Sequence, residues 1–189
     1  MIVFRTFLMV ERTAVFIDGG YLDSLQKNGF RGKLDYKKLV EHAVGTEGRL
    51  LRAYYYACMP YQSQPPTKEE NERYSKKDKF ISKIRRFPRF EVRLGKLQKI
   101  SDDEFHQKKV DILLAIELVS LAWKGYIDKA VIIAGDSDFV PAIQQAKDAG
   151  VIVSLYYISG ACNNELLDSV DERVEITKEL HSGLLLDSS

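Results

Sequence analysis

The sequence predicts an α/β protein with a mainly parallel central sheet. Five short runs are rich in β-branched and aromatic residues, which is typical of strands that are buried on both faces. Helical patterns separate several of these runs, and that alternation indicates βαβ units. With 189 residues, 45% of them hydrophobic, the chain is expected to form one domain with a sizeable core. The predicted strands are 13–17, 50–57, 89–94, 130–134 and 151–158.

Four helices are predicted around these strands. The helix over 139–149 has Pro141 in its first turn, where a missing N–H costs little, and Gly150 marks its end. The segment 61–70 is predicted to be a loop because Pro65 and Pro66 are incompatible with a regular helix. The other helices are predicted over 35–44, over the long charged segment 68–87, and over 108–123, which is apolar nearly all round.

Composition narrows the classes of function. The formal net charge is +1, so the chain as a whole is not a polyelectrolyte that would bind nucleic acid or membranes. Cys58 and Cys162 have no CxxC partner and the three histidines lack zinc-like spacing, so reduced, buried thiols are expected. The apolar N-terminus lacks a basic n-region and a small-residue cleavage pattern. A cytoplasmic protein without a membrane span or a membrane partner is therefore expected.

Acidic residues stand at the ends of the predicted strands. Asp18 ends the first strand, and Asp136 and Asp138 follow the fourth. Asp111 lies near the start of the helix over 108–123. In an open parallel sheet, ligands bind beyond the carboxyl ends of the strands, where the strand order reverses. If the first and fourth strands are neighbours, these acids share one crevice, and hard divalent cations such as Mg²⁺ or Mn²⁺ would relieve their mutual repulsion.

Each acid also has a purely structural interpretation. Either Ser137 or Asp138 could cap the helix that follows, since both residue types are preferred caps. Asp18 precedes two glycines and could simply begin a turn. Glu117, within an apolar helix, is expected to form a structural ion pair, because buried charges need partners. No glycine-rich phosphate-binding motif is present as a competing site.

Three stretches carry a resemblance to a known family. They read VFIDGGYL at 15–22, KKVDILLAIELV at 108–119 and VIIAGDSDFVPAIQQAKDAGVIV at 131–153. In this order and with this separation, the sequence resembles the NYN domains of the LabA-like group, within the PIN-like nuclease superfamily. The resemblance covers roughly 13–158, and the segment 163–176 resembles the family's closing helix and strand. It implies a PIN-like three-layer α/β/α sandwich, with an N-terminal extension at 1–11, the NYN domain at 12–180 and a C-terminal tail at 181–189.

The resemblance also implies a site and a reaction. It places metal ligands and catalytic residues at Asp18, Asp111, Asp136 and Asp138, which would hold one or two Mg²⁺ or Mn²⁺ ions. The implied reaction is hydrolysis of RNA by a metal-bound water, which leaves 5′-phosphate and 3′-hydroxyl ends. Ser137 is expected to contact a substrate phosphate or a ligand carboxylate. Tyr21 stands where many members of the family have Asn, so a phenol is expected in place of an amide near the substrate.

A basic segment spans 67–100. It contains twelve Lys or Arg against five acids, an excess of seven positive charges, with aromatic residues between them. We expect Lys83, Arg85 and Arg86 to bind single-stranded RNA through its phosphates, with base stacking on nearby rings. The alternative is an ordinary solvated helix whose apolar face packs inward.

Three hypotheses about function remain open from the sequence. The leading one is a metal-dependent ribonuclease, and the second is a catalytically silent module that binds RNA or regulates a partner. A phosphatase of the haloacid dehalogenase type ranks below both, because that chemistry requires an acid two residues after Asp18, where this chain has Gly20. Self-association is left open.

Overall fold

The computed structural model of this chain describes residues 10–24, 29–99, 105–108 and 110–187, without side chains at 96–99 and 105–108. The strands in this part of the chain are β1 Glu11–Asp18, β2 Gly48–Cys58, β3 Phe90–Lys99, β4 Phe105–Lys108, β5 Lys129–Ile133, β6 Ile152–Tyr157 and β7 Glu172–Glu175. The helices are α1 Gly19–Asp23, α2 Tyr36–Val44, α3 Lys68–Arg85, α4 Val110–Trp123, α5 Val140–Asp148, α6 Asn164–Ser169 and α7 Lys178–Gly183. A 3₁₀ turn, Ser137–Phe139, leads into α5.

All seven strands form one sheet in the order β4-β3-β2-β1-β5-β6-β7. Six of them run parallel, and only β4 at one edge is antiparallel to its neighbour β3. The strand order reverses at β1, because β2 lies on one side of it and β5 on the other. The predicted parallel α/β architecture is therefore confirmed, and its switch point lies between β1 and β5.

The sheet is the middle of three layers. In β1, Ala14 and Phe16 face the layer that contains α4, α5 and α6, while Val15 and Ile17 face the layer that contains α1, α2 and α3. All four side chains are inaccessible to solvent. Full burial of a large aliphatic or aromatic side chain contributes about 1.5–3 kcal/mol, so burial on both faces anchors β1 strongly in the sheet.

Local signals explain where α3 begins and ends. The Thr67 hydroxyl accepts from the Glu70 N–H at 3.2 Å, and the Glu70 carboxylate accepts from the Thr67 N–H at 2.9 Å, which forms a capping box. The helix was predicted to continue to 87, but it ends at Arg85, because Pro88 disfavours helical geometry in the residue before it.

Other expectations have mixed outcomes. Short elements without a strong pattern, α1, β4 and α7, were not predicted. Residues 184–186, in the predicted C-terminal tail, run beside the segment before α2, where the Asp35 N–H donates to the Leu184 carbonyl at 2.8 Å. Residues 1–9 of the predicted N-terminal extension lie outside the described residues. Both cysteines are free, but they are half-buried rather than buried. No helix in the described ranges is long and apolar enough to cross a membrane.

Candidate functional site

Two acids stand together at the switch point of the sheet. Ile17 of β1 pairs with Ile133 of β5, so these two strands end side by side. Asp18 is the last residue of β1, and Asp136 follows β5 after two residues. The parallel sheet therefore brings both carboxylates to the same edge, although they are 118 positions apart in the sequence. We call this region the acidic crevice.

Asp18 serves as the cap of α1. Its Oδ1 accepts from the N–H of Gly20 at 2.9 Å and from the N–H of Tyr21 at 3.2 Å. The prediction that Asp18 begins a turn is thus confirmed, but this role does not exclude a second role as a metal ligand. Both hydrogen bonds use one oxygen, and among the described residues no donor binds Oδ2, so this oxygen can still accept a cation.

Asp136 caps the turn after β5. Its Oδ1 accepts from the Asp138 N–H at 3.1 Å, whereas α5 begins after Phe139 without a side-chain cap, so neither Ser137 nor Asp138 caps that helix. The side chains of Asp136 and Asp138 are exposed to solvent. Neither carboxylate is therefore buried against other side chains, and both are accessible to a ligand in the crevice.

The acids interact electrostatically. Burial raises the pKa of Asp18 to about 6; its two backbone hydrogen bonds oppose this rise, and the charges of Asp111 and Asp136 add to it. Burial also raises the pKa of Asp111, which is in the first turn of α4, and the charges of Asp136 and Asp138 contribute. All four acids consequently lie in one region of negative potential.

The donor set suits a hard cation, but the carboxylates do not yet enclose one. Carboxylate oxygens are the preferred ligands of Mg²⁺ and Mn²⁺. Among the described residues, however, no three acidic, histidine or cysteine side chains are close enough to bind an ion together. The arrangement fits a hydrated ion held by one or two carboxylates, as is common for Mg²⁺.

Tyr21 is turned into the protein. Its hydroxyl accepts from the backbone N–H of Ile158 at 2.7 Å, and its ring packs against Gly135. A Cβ atom built on Gly135 would lie 2.4 Å from Cε2 of Tyr21. In this structure the phenol ties the end of β6 to the crevice, and its hydroxyl is not directed at a substrate.

Two further residues shape the crevice and were not recognised in the sequence. Asn163 donates from Nδ2 to the Ser137 Oγ at 3.3 Å, and its N–H donates to the Gly135 carbonyl at 3.0 Å. Gly19 allows close packing, since a Cβ there would lie 2.4 Å from the Tyr55 hydroxyl oxygen. The pairs NN and GG were visible in the sequence, but only the packing around them reveals why these residue types are needed.

Glu117 forms the predicted structural ion pair. Arg93 donates to Glu117 from Nε at 2.9 Å and from Nη2 at 2.7 Å, and the Tyr56 hydroxyl donates at 3.0 Å. Glu117 is thus fully engaged with its neighbours and is not a free ligand.

A cleft with basic walls lies beside the acidic crevice. It has a volume of about 670 Å³ and runs between α1, α2 and α3, and we call it the α3 cleft. Leu22 and Asp23, which follow Asp18 in the chain, line its near end. In the wall of the cleft, Lys77 donates to Asp23 at 2.9 Å. The Cys58 thiol senses both regions: burial and the charges of Asp111 and Asp18 raise its pKa, and the charge of Lys77 lowers it. The cleft and the crevice are therefore electrostatic neighbours.

The three basic residues predicted to bind RNA do not all occupy this cleft. Lys83 lines it, whereas Arg85 and Arg86 are exposed at the C-terminal end of α3 and are not part of its wall. Cations that the sequence analysis did not single out, Arg73 and Lys76, also line the cleft. Phe80 and Phe87 supply its aromatic surface. The last residues of the predicted basic segment, 96–100, lie outside the described side chains.

A parallel α/β/α sandwich with acids at its switch point is the architecture of the PIN-like nuclease superfamily. The chain belongs to the NYN domain family, which matches residues 12–177. A solved structure, a protein of unknown function from Vibrio parahaemolyticus RIMD 2210633, is similar with a TM-score of 0.66 and 18% identity, over 88% of this chain and 93% of that one. An aureusimine biosynthetic cluster reductase domain aligns with a TM-score of only 0.29 at 8% identity, covering 78% of this chain and 32% of that one. No curated protein matches the sequence significantly.

Proposed function

We propose that this NYN domain is a metal-dependent ribonuclease that cleaves single-stranded RNA at the acidic crevice, and that it belongs to the LabA-like group. The observation that carries the proposal is the position of Asp18 and Asp136 at the ends of the paired strands β1 and β5. The raised pKa of Asp111 supports it, since this rise includes a contribution from the charge of Asp136. Acids gathered without a compensating ion are costly, and a divalent cation relieves that cost.

The residues in the crevice have distinct roles in this proposal. Asp18 and Asp136 hold Mg²⁺ or Mn²⁺, and Asp111 and Asp138 bind the ion or orient its water ligands. A divalent cation bound there supplies a water of lowered pKa and neutralises charge on the scissile phosphate.

Polar and basic side chains bind the RNA. The Ser137 hydroxyl, which already accepts from Asn163, donates to a phosphate oxygen. Lys83 in the α3 cleft and the exposed Arg85 and Arg86 attract the polyanion toward the negative crevice. Tyr21 acts as a positioning residue, because its phenol connects the end of β6 to the loop that carries Asp136.

A catalytically silent RNA-binding or regulatory module is the second candidate. It is favoured by the absence, among the described residues, of three acids already close enough to enclose an ion. The replacement of the family's usual Asn by Tyr21, with its hydroxyl turned inward, favours it too. Both candidates are able to bind RNA, and only the first requires divalent metal for turnover.

Cleavage of labelled single-stranded RNA by wild type and Asp136→Asn, with Mg²⁺, Mn²⁺ or EDTA, tests the proposal. We expect cleavage by wild type with metal, none in EDTA, and a loss of at least about 100-fold in the variant, because a metal ligand is removed. Asp148→Asn is the matched control, since this exposed acid lies at the far end of α5. Equal cleavage by wild type and Asp136→Asn would refute the assigned site. RNA binding without cleavage by wild type would identify the silent module.

A further inference from the structure

The helix α4 and the residues just after it expose several large apolar side chains. Ile112, Ile116 and Trp123 are 60%, 62% and 61% exposed, and Tyr126, just beyond the helix, is 54% exposed. Successive helical residues are separated by about 100°, so Ile112, Ile116 and Trp123 lie on one side of α4. We call these four residues the α4 stripe. Large apolar side chains exposed together in this way mark interaction surfaces.

The opposite side of α4 accounts for the rest of its apolar residues. Val110, Leu114, Leu118 and Ala122 are buried in the core, where α4 contacts α5 and the strands β2 and β3. The helix is therefore apolar on two sides, and the sheet covers only one of them. Packing against the core therefore explains the apolar residues on the buried side, but not those on the exposed side.

The stripe carries no formal charge. Its members are three hydrophobic residues and a tyrosine, and the half-exposed Ser120 lies between Ile116 and Trp123 along the same side. The one acid in the middle of the helix, Glu117, is held by Arg93 and Tyr56. A second copy of this surface can consequently approach it without repulsion between like charges.

We propose that the α4 stripe is a homodimer interface, in which α4 of one copy packs against α4 of a second copy about a two-fold axis. A two-fold interface requires a surface that is complementary to itself. Ile112, Ile116 and Ser120 form a row with a spacing of four residues. Two such rows interdigitate at a crossing angle of about −50°, and the small Ser120 in the row lets the helices approach.

The area available is sufficient for a dimer. The exposed parts of the four side chains amount to roughly 450 Å² in each copy, which is a large patch for a monomer. Two copies would bury roughly 900 Å² from these residues alone, and half-exposed neighbours such as Val119 bring the total above the ~1,000 Å² expected of a specific interface. Trp and Tyr are also the residue types that most often dominate binding energy at interfaces.

A membrane surface fits the stripe less well. Helices that lie on membranes carry Lys and Arg along the border of their apolar side, where they meet anionic lipids. Here Arg93 is bound to Glu117 and to Glu91, at 2.7 and 2.6 Å, and the exposed Lys124 beside Trp123 is a single charge rather than a row of cations. The proposal concerns self-association only, and it does not depend on ribonuclease activity.

The mass of the full chain in solution tests the dimer. Sedimentation velocity is expected to give about twice the chain mass of 21.6 kDa for wild type and the monomer mass for Ile116→Glu. Leu186→Glu is the matched control, since Leu186 is 38% exposed beside the α3 cleft, on the other face of the sheet from α4, and this variant should remain dimeric. Circular dichroism melting confirms that each variant is folded, and Ile116→Ala, expected to weaken the dimer, replaces Ile116→Glu if the latter unfolds.

The fluorescence of Trp123 provides an independent test of the dimer, because it is the only tryptophan in the chain. Its fluorescence emission should shift to the blue as wild type is concentrated, and should stay red-shifted in Ile116→Glu. A wild type that is monomeric at all concentrations overturns the proposal, as does a dimer that survives both substitutions of Ile116. A third result would also overturn the dimer proposal: a monomer whose Trp123 emission is blue-shifted and moves to the red when residues 1–9 are deleted. In that case the chain's own N-terminus would be the segment that covers the stripe.

Discussion

The Tyr21 hydroxyl accepts a 2.7 Å hydrogen bond from the backbone N–H of Ile158. This bond joins α1, the helix that Asp18 caps, to the end of β6, so it spans the same edge of the sheet as the acidic crevice. Burial raises the pKa of the phenol to about 12, and it is therefore neutral throughout the physiological range. Tyr21 thus shapes the crevice from within.

Tyr21→Phe tests that bond. The substitution leaves the buried Ile158 N–H without its partner, which typically costs about 1–3 kcal/mol. We therefore expect urea unfolding to give a free energy of unfolding that is lower than that of wild type by about 1–3 kcal/mol. Tyr74→Phe is the control, because Tyr74 is a half-exposed tyrosine of α3 and its loss of a hydroxyl should change little. Equal midpoints for Tyr21→Phe and wild type would show that the bond does not stabilise the fold.

Asp18→Asn tests the electrostatic cost of the crevice. The folded-state pKa of Asp18, about 6, lies above the ordinary value of 3.8, so the folded protein holds this proton more tightly than the unfolded chain. The resulting stabilisation is complete below pH 3.8 and is lost as the pH rises through 6. The neutral Asn keeps a carbonyl oxygen for the cap, and the variant should exceed wild type in unfolding free energy by about 1–2 kcal/mol at pH 8 in EDTA.

The measurement is urea unfolding at pH 4 and pH 8. The advantage of Asp18→Asn should be nearly absent at pH 4, where both side chains are largely neutral in the folded state. Adding Mg²⁺ at pH 8 should stabilise wild type and not the variant, if the crevice binds the ion through Asp18. An advantage that is the same at both pH values would contradict the assigned pKa.

Charge reversal of Lys83, Arg85 and Arg86 tests RNA binding. Each lost phosphate contact lowers the slope of log K against log salt by about 0.7 for a single strand, so the triple variant should lose up to about 2 in slope. Fluorescence anisotropy in EDTA measures this without cleavage. A triple reversal of exposed cations elsewhere, at Arg49, Lys124 and Lys178, gives the same net charge as a control. Equal losses in both triples would indicate a general charge effect, and the assigned contact would then be wrong.

Gly135→Ala tests the close packing behind the crevice. The new Cβ would lie 2.4 Å from Cε2 of Tyr21 and 2.5 Å from the Ala161 carbonyl oxygen, and both contacts are too short. We expect a loss of about 1–3 kcal/mol in unfolding free energy. Gly183→Ala is the control, since a Cβ there meets no atom within 4 Å. If thermal melting of Gly135→Ala matches wild type, the loop must be able to shift, and the close packing of Tyr21 on Gly135 is not needed for stability.

Several features of this protein were determined by local sequence. The β-branched runs predicted the five main strands, because a strand buried on both faces needs apolar residues at every position. Pro65 and Pro66 placed the loop before α3, and the partnered state of Glu117 followed from the cost of an unpaired charge in an apolar helix. These properties depend on residues near one another in the chain or on the solvation of a single group.

The tertiary structure alone decided the rest. The pairing of β5 with β1, and not with β3, brings Asp136 to Asp18, and no local pattern specifies the order of parallel strands. The inward direction of Tyr21 depends on Ile158, 137 positions away. Helix α4 is apolar nearly all round, so its periodicity could not tell the side that meets the sheet from the side that stays exposed. Burial is a relation between distant segments, and only their packing shows that Ile112, Ile116 and Trp123 remain uncovered.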